Sequence, residues 1–136
     1  ESAGKPGQDN SHASVAKEQI VAWNPDMFFL DLGTTALEGK ASGLFELRNE
    51  PIYRGLKAVR EARVYGMLPC NSYAQNYEGV MANAYFAGKT IYPDRFKNVD
   101  PAAKADEIFT FMVGKAVFRQ VSESFKGLAF APLSVR

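Results

Sequence analysis

The apolar positions of this chain change period several times from residue 14 onward. Ser14 can cap a helix from Val15 to Trp23, in which Val15, Gln19, Ile20 and Trp23 share one side and Asn24-Pro25 forms the stop. Met27-Phe28-Phe29-Leu30 is a continuous apolar run ending in Asp31, the pattern of a strand covered on both faces as in a parallel sheet. Residues 31–49, with glycines at 33, 39 and 43, read as a long loop. Asn49 then caps a short helix with Pro51 in its first turn and Ile52, Tyr53, Leu56 and Val59 at helical spacing. Val64 to Leu68 reads as a second strand, ended by Pro69. Strand, helix and strand make a βαβ unit, whose crossover should be right-handed.

The second half has helical periods only. From Asn76 to Tyr92, the positions Tyr77, Val80, Met81, Ala84, Tyr85, Gly88 and Ile91 keep one face for about four turns, and Pro93 ends it. Asp100-Pro101 is a cap and first-turn pair for a helix whose inward residues are Ala105, Ile108, Phe109, Met112 and Val113, with Gly114 suited to a left-handed exit. A last helix, Ala116 to Lys126, turns Val117, Val121 and Phe125 inward, and Gly127 closes it. The tyrosines at 77, 85 and 92 are expected to be core packing rather than a cofactor box.

These elements predict an α/β fold: a βαβ core of a three-layer parallel-sheet lobe, then a helix-rich C-terminal half. Two strands are too few for a stable sheet, so the sheet is expected to be incomplete in this chain or covered by another copy. Residues 1–13, rich in Gly, Ser, Asn and Pro, read as a flexible leader to a single lobe over 14–136. At 136 residues, 46% apolar and 23% charged, the composition is that of one soluble globular domain. The net charge of +1 is spread without a basic face, which argues against nucleic acid as a partner. A single cysteine, Cys70, excludes an internal disulfide.

Signs of catalysis are sparse. The one histidine, His12, lies in the polar leader, and Cys70 has no histidine near it in sequence. Metal-ligand spacing of the Cys and His kind is missing, and the glycines at 33, 39 and 43 match neither a phosphate loop nor a dinucleotide fingerprint. An enzyme with a carboxylate pair is the weaker reading; no catalytic residue, metal ligand or resident cofactor is expected. Ligands of open parallel sheets bind at the carboxyl ends of the strands. Those ends lead here into Asp31-Leu32-Gly33-Thr34-Thr35 and Pro69-Cys70-Asn71-Ser72-Tyr73. Asp31, Asn71, Ser72 and Tyr73 are therefore the candidate cargo-binding residues, with helix capping by Asn71 and Ser72 and core cover by Tyr73 as the competing reading. Backbone N–H groups at Asn76 and Tyr77, opening the long helix, can face an anion. Glu78, Lys89 and Lys104 read as solvated surface charges.

An ordered series of segments adds a family resemblance. Glu18-Gln19-Ile20-Val21-Ala22-Trp23-Asn24-Pro25-Asp26, continued by Met27-Phe28-Phe29-Leu30-Asp31, resembles the E-Q-apolar-apolar-x-W-N-P-D stretch of the siderophore and cobalamin class of ABC-importer binding proteins. Leu56-Lys57-Ala58-Val59 with Arg63-Val64-Tyr65 resembles that family's LKAVKNGRVY segment. A third match, Leu68 to Tyr73, runs on through Asn76-Tyr77-Glu78, Ala82 to Tyr85, Gly88 to Pro93 and Lys104 to Ile108, and resembles a subgroup assigned to iron compounds. The resemblance covers about residues 14 to 127 and departs at Cys70, where relatives carry an aromatic residue.

That resemblance implies a substrate-binding protein of two α/β lobes joined by a rigid helix, with cargo in the cleft between them. This chain matches the second lobe; the first strand, the interlobe helix and the N-terminal lobe are expected upstream of Glu1. The implied cargo is an iron chelate, a corrinoid or a similar metal-containing small molecule, and the implied partner is the ABC importer permease. Glu18 matches the second-lobe glutamate that docks onto permease arginines. The implied location is periplasmic or at the extracellular face of the cell membrane, a lipid anchor in the full-length protein being one arrangement. The alternative is a stand-alone, self-associating interaction module derived from such a lobe, a homo-oligomer rather than a carrier.

Overall fold

The computed structural model describes residues 15–33, 42–70 and 75–135. Ser14, the predicted leader and its His12 lie outside them. Helix α1 spans Lys17–Trp23 and ends at Asn24, whose φ of 44° is left-handed and whose side-chain Oδ1 accepts the Lys57 N–H at 2.9 Å. Asparagine tolerates that conformation, so the predicted stop is local chemistry. Ile20 and Val21 pack inward, whereas Val15 and Trp23, expected on the same side, are exposed. Lys17 ties the helix to the next one through ion pairs with Glu50 at 3.0 Å and Glu46 at 3.5 Å.

Strands β1 (Phe28–Asp31) and β2 (Val64–Met67) pair in parallel, with Phe28 opposite Val64 and Asp31 opposite Met67. Alternation along a strand sorts the side chains. Phe28, Leu30 and Val64 join a cluster with Leu44, Leu47, Tyr53, Leu56 and Val59. Phe29 and Tyr65 instead stack on each other at 5.7 Å and meet the edge of Phe86. The chain thus mixes helix with a two-stranded parallel sheet, and no third strand occurs among the described residues.

The crossover between the strands differs from the expected loop and single helix. Ser42 Oγ accepts the Phe45 N–H at 3.1 Å and starts helix α2, Gly43–Asn49, which buries Leu44 and Leu47. The glycines around it masked this short amphipathic turn. Asn49 is no N-cap: it is the last residue of α2, and its amide donates to the Phe45 carbonyl. One 3-10 turn at Pro51–Tyr53 and the short helix α3, Lys57–Arg60, complete the crossover, with Gly55 between them.

Helices α4 (Tyr77–Ile91), α5 (Pro101–Val113) and α6 (Phe118–Ser124) form the second half. Asp100 caps α5 by accepting the Ala102 and Ala103 N–H groups, and Gly114 ends it at φ 79°, both as the sequence predicts. Ala105, Ile108 and Phe109 are buried, but Met112 and Val113 are exposed. The larger correction concerns α4, which buries Gly79, Ala82, Asn83 and Phe86, whereas Tyr77, Val80, Met81, Ile91 and Tyr92 face outward. The helix is apolar on two sides, and the smaller residues take the core because the backbone lies close to the end of β2.

The last residues cover the edge of β2. Gly66 N–H donates to the Ala131 carbonyl at 3.0 Å, and Phe130 and Leu133 donate back to Gly66 and Val64 at 2.9 and 2.8 Å. A Cβ at Gly66 would lie 2.3 Å from the Leu128 carbonyl oxygen, so only glycine lets this segment cross. Phe130 then stacks between Phe86 and Phe118 at 4.6 and 4.8 Å. Fully buried Leu32, Leu56, Leu68 and Val64 each contribute roughly 1.5–3 kcal/mol.

Candidate ligand-binding site

The carboxyl ends of both strands are drawn together by one side chain. Asp31 Oδ1 accepts the Gly33 N–H at 2.7 Å, turning the chain at the end of β1, and Oδ2 accepts the Cys70 N–H at 3.1 Å from beyond β2. Leu32 N–H extends the ladder by donating to the Met67 carbonyl. Gly33 rests against Pro69, where a Cβ would approach the proline Cβ to 2.9 Å. The rim from which residues 34–41 and 71–74 depart is thus fixed at Gly33 and Cys70.

Beneath the rim, Asn83 projects from the core side of α4 and is 2% exposed. Its Oδ1 accepts the Leu68 N–H and its Nδ2 donates to the Leu68 carbonyl, both at 2.9 Å. The same Nδ2 lies 3.2 Å from Cys70 Sγ. An amide matches a backbone peptide donor for acceptor, so Asn83 acts as one residue of an additional strand and locks α4 to β2. Burial pushes the Cys70 thiol pKa up; the Asn83 contact opposes this, and the Asp31 charge adds to it. The thiol is neutral at physiological pH, a poor nucleophile.

A cavity of about 270 Å³ opens beside this rim, lined by Leu68, Pro69, Asn76, Glu78, Phe109 and Phe125 among others. It has an apolar floor from α5 and α6 and a polar lip at the start of α4. Asn76 Nδ2 donates to the Pro69 carbonyl at 3.3 Å, and Asn76 N–H donates to the Cys70 carbonyl at 2.9 Å. Glu78 stands in the first turn of α4, where a carboxylate already complements the positive end of the helix. Glu78 therefore gives the lip of the cavity a carboxylate at the positive end of the helix, which favours a neutral or cationic group over an anion.

Of the four candidate cargo residues, Asp31 is placed at the rim, while Asn71, Ser72 and Tyr73 lie outside the described residues. Glu18 stands exposed in the first turn of α1. Asn83 and the lining residue Glu78 had no site role assigned from sequence, and Asn76 had one only through its backbone N–H; for Asn83 the signal available was a lone amide within an apolar helical run. Lys89 and Lys104 are more engaged than solvated charges. Lys89 Nζ donates to the Phe96 and Lys97 carbonyls, and Lys104 lies over the Tyr85 ring at 5.5 Å and pairs with Glu107. Tyr77 and Tyr92 are exposed rather than core. Among the described residues, no cluster of His, Cys, Asp and Glu could hold a metal ion, and no helix is long and apolar enough to cross a membrane.

Comparison with protein-family models and with curated protein sequences finds no match to either.

Proposed function

We propose that the chain is the second lobe of a solute-binding protein of the siderophore and cobalamin class, holding a metal-containing cargo and presenting it to an ABC importer. The observation that carries the reading is the Asp31 clamp, which gathers the carboxyl ends of two parallel strands into one rim. Such rims are where open parallel sheets bind small molecules. The ordered sequence resemblance supplies the cargo class. On this reading the sheet is the middle of three layers, lengthened and covered by chain from upstream of Glu1. Asp31, Asn71, Ser72 and Tyr73 are the cargo residues on this reading, and the 270 Å³ cavity admits an apolar or cationic edge of the chelate. Glu18, exposed on α1, meets permease arginines; one exposed pair is weak, but a matched pair on two lobes sets orientation.

The test uses the full-length protein with ferric siderophores and cobalamin, each titrated by intrinsic fluorescence. Binding that weakens at least tenfold in Tyr73→Ala, together with Glu18→Lys that halts uptake at unchanged affinity, is expected. No binding across the panel, or loss of affinity in Glu18→Lys, overturns the corresponding assignment. A second reading, the self-associating module, is favoured by one observation: the large apolar side chains that α4 and α5 turn outward.

A further inference from the structure

Helices α4 and α5 run antiparallel, since Lys104 near the start of α5 lies over Tyr85, while the later Phe111 and Met112 share a groove with Met81. That groove has a volume of about 400 Å³ and is lined by Met81, Tyr85, Ile108, Phe111 and Met112, with Lys104 and Glu107 among its walls. Phe111 is 91% exposed and Tyr77 60%, on helices rather than loops. Single exposed apolar residues are ordinary, but a contiguous set on one face is not.

We infer that this α4–α5 face is a two-fold interface between copies of the chain, whether or not the chain carries cargo. Three features select a second copy over another occupant. The protruding ring of Phe111 and an apolar groove lie on the same face, the self-complementarity that an isologous contact requires. The face carries one cation and one anion, Lys104 and Glu107, bonded to each other three residues apart. With the two-fold axis passing between Lys104 and Glu107, each copy's Lys104 meets the other's Glu107 without like-charge repulsion, whereas a strongly acidic or basic partner gains nothing from a neutral groove. The area also fits: Phe111, Tyr77, Val80, Met81 and Met112 together offer on the order of 500 Å² of apolar surface, taking roughly 150–250 Å² for a whole aromatic side chain. A standard interface buries about 800 Å² per partner, and homodimer interfaces are about 65% apolar, so this face supplies the expected apolar share. Two helical hairpins would meet as a four-helix arrangement with Phe111 of each seated in the groove of the other.

The experiment is sedimentation equilibrium of the purified chain from about 1 to 500 µM, with the parent compared to Phe111→Asp and Lys104→Glu. A monomer–dimer equilibrium is expected, with a dissociation constant raised at least about 30-fold by Phe111→Asp, the loss of a central anchor. Lys104→Glu should weaken the dimer, and adding Glu107→Lys should restore it, a rescue that nonspecific apolar clumping does not give. Phe111 touches little of its own chain, so unchanged circular dichroism is expected of its variants. A monomer throughout the range overturns the inference, as does a dimer indifferent to Phe111→Asp or a monomer whose groove takes up an apolar chelate instead. Failure here leaves the cargo assays untouched, and cargo binding by a monomer would separate the two readings.

Discussion

Replacing Asn83 should destabilise the chain far more than its size suggests. The side chain is 2% exposed and makes two 2.9 Å hydrogen bonds to the backbone of Leu68, itself buried. Asn83→Ala removes both partners at once. The Leu68 N–H is then orphaned inside the protein, and its carbonyl keeps only the weak Cys70 thiol contact at 3.6 Å. An unsatisfied buried donor costs about 1–3 kcal/mol, a weakly satisfied carbonyl somewhat less, and the vacated volume adds to both, for a total of about 3 kcal/mol. For a 136-residue chain this corresponds to a fall in Tm of roughly 10–12 °C.

Two further variants separate hydrogen bonding from packing, read by thermal and urea unfolding monitored by circular dichroism. Asn83→Leu fills the space but satisfies neither backbone group, so it should lose nearly as much as Asn83→Ala. Asn83→Asp keeps the shape and the acceptor for Leu68 N–H, but sets its second oxygen against the Leu68 carbonyl. Burial and that repulsion raise the new carboxyl's pKa in the folded state, and in its protonated form the O–H donates to the carbonyl as the amide does. Its deficit should therefore be smallest below the ordinary aspartate value of about 4 and grow as pH rises until the raised pKa is passed. An Asn83→Leu variant within about 0.5 kcal/mol of the parent, or an Asn83→Asp deficit flat between pH 3 and 8, would refute the clamp.

Gly66→Ala places a methyl 2.3 Å from the Leu128 carbonyl oxygen, a backbone atom held by the return of the C-terminal segment. Relief requires that segment to lift off β2, and a loss of 3 kcal/mol or more in urea unfolding is expected, at or above the usual overpacking range of about 1–3 kcal/mol; a wild-type midpoint would mean the crossing is not close. Cys70 should react with iodoacetamide more slowly in the native chain than in urea, with a rate–pH midpoint above that of an ordinary thiol, because burial raises its pKa. The linked stability is full below the ordinary thiol pKa and declines as pH rises through the raised one, and Cys70→Ser should lack that slope. An equal alkylation rate in both states would show the thiol to be exposed.

Much of this fold is legible because its signals are local. The Asn24-Pro25 stop, the Asp100-Pro101 start and the Gly114 exit each depend on side-chain or φ chemistry within a few residues, and each stands where the sequence puts it. The two strands are legible for the same reason: short β-rich runs bounded by Asp31 and Pro69. What escapes is set by distance along the chain. Asp31 and Cys70 are 39 residues apart when they meet, and Asn83 reaches Leu68 across 15, so no spacing rule identifies either contact. The return of residues 128–135 along β2 is equally non-local, although it supplies the edge cover that a two-strand count found missing. Helix α2 was hidden for another reason: seven residues beginning at a glycine carry too few periods to outweigh the loop signals around them.

Helix α4 shows why periodicity alone can choose the wrong face. Its strongest apolar stripe, Tyr77–Val80–Met81–Ala84–Tyr85, is the one helical periodicity assigns to the core, yet only Tyr85 of it packs against the buried cluster, and the residues the helix buries are Gly79, Ala82, Asn83 and Phe86 on its other side. The reason lies in what the helix packs on. Asn83 must come within hydrogen-bonding distance of the Leu68 backbone, and that approach admits only small neighbours at Gly79 and Ala82; a Cβ at Gly79 would already sit 3.0 Å from the Pro69 carbonyl oxygen. The inner face is selected by closeness and the outer by something that tolerates large apolar side chains. Solvent is the least economical occupant for an outer face bearing Tyr77, Met81 and the neighbouring Phe111, since each loses on the order of 1 kcal/mol or more by remaining wet. The same geometry that locks α4 to the candidate binding rim therefore leaves its second stripe outward, so that the rim and the proposed interface lie on two sides of one helix.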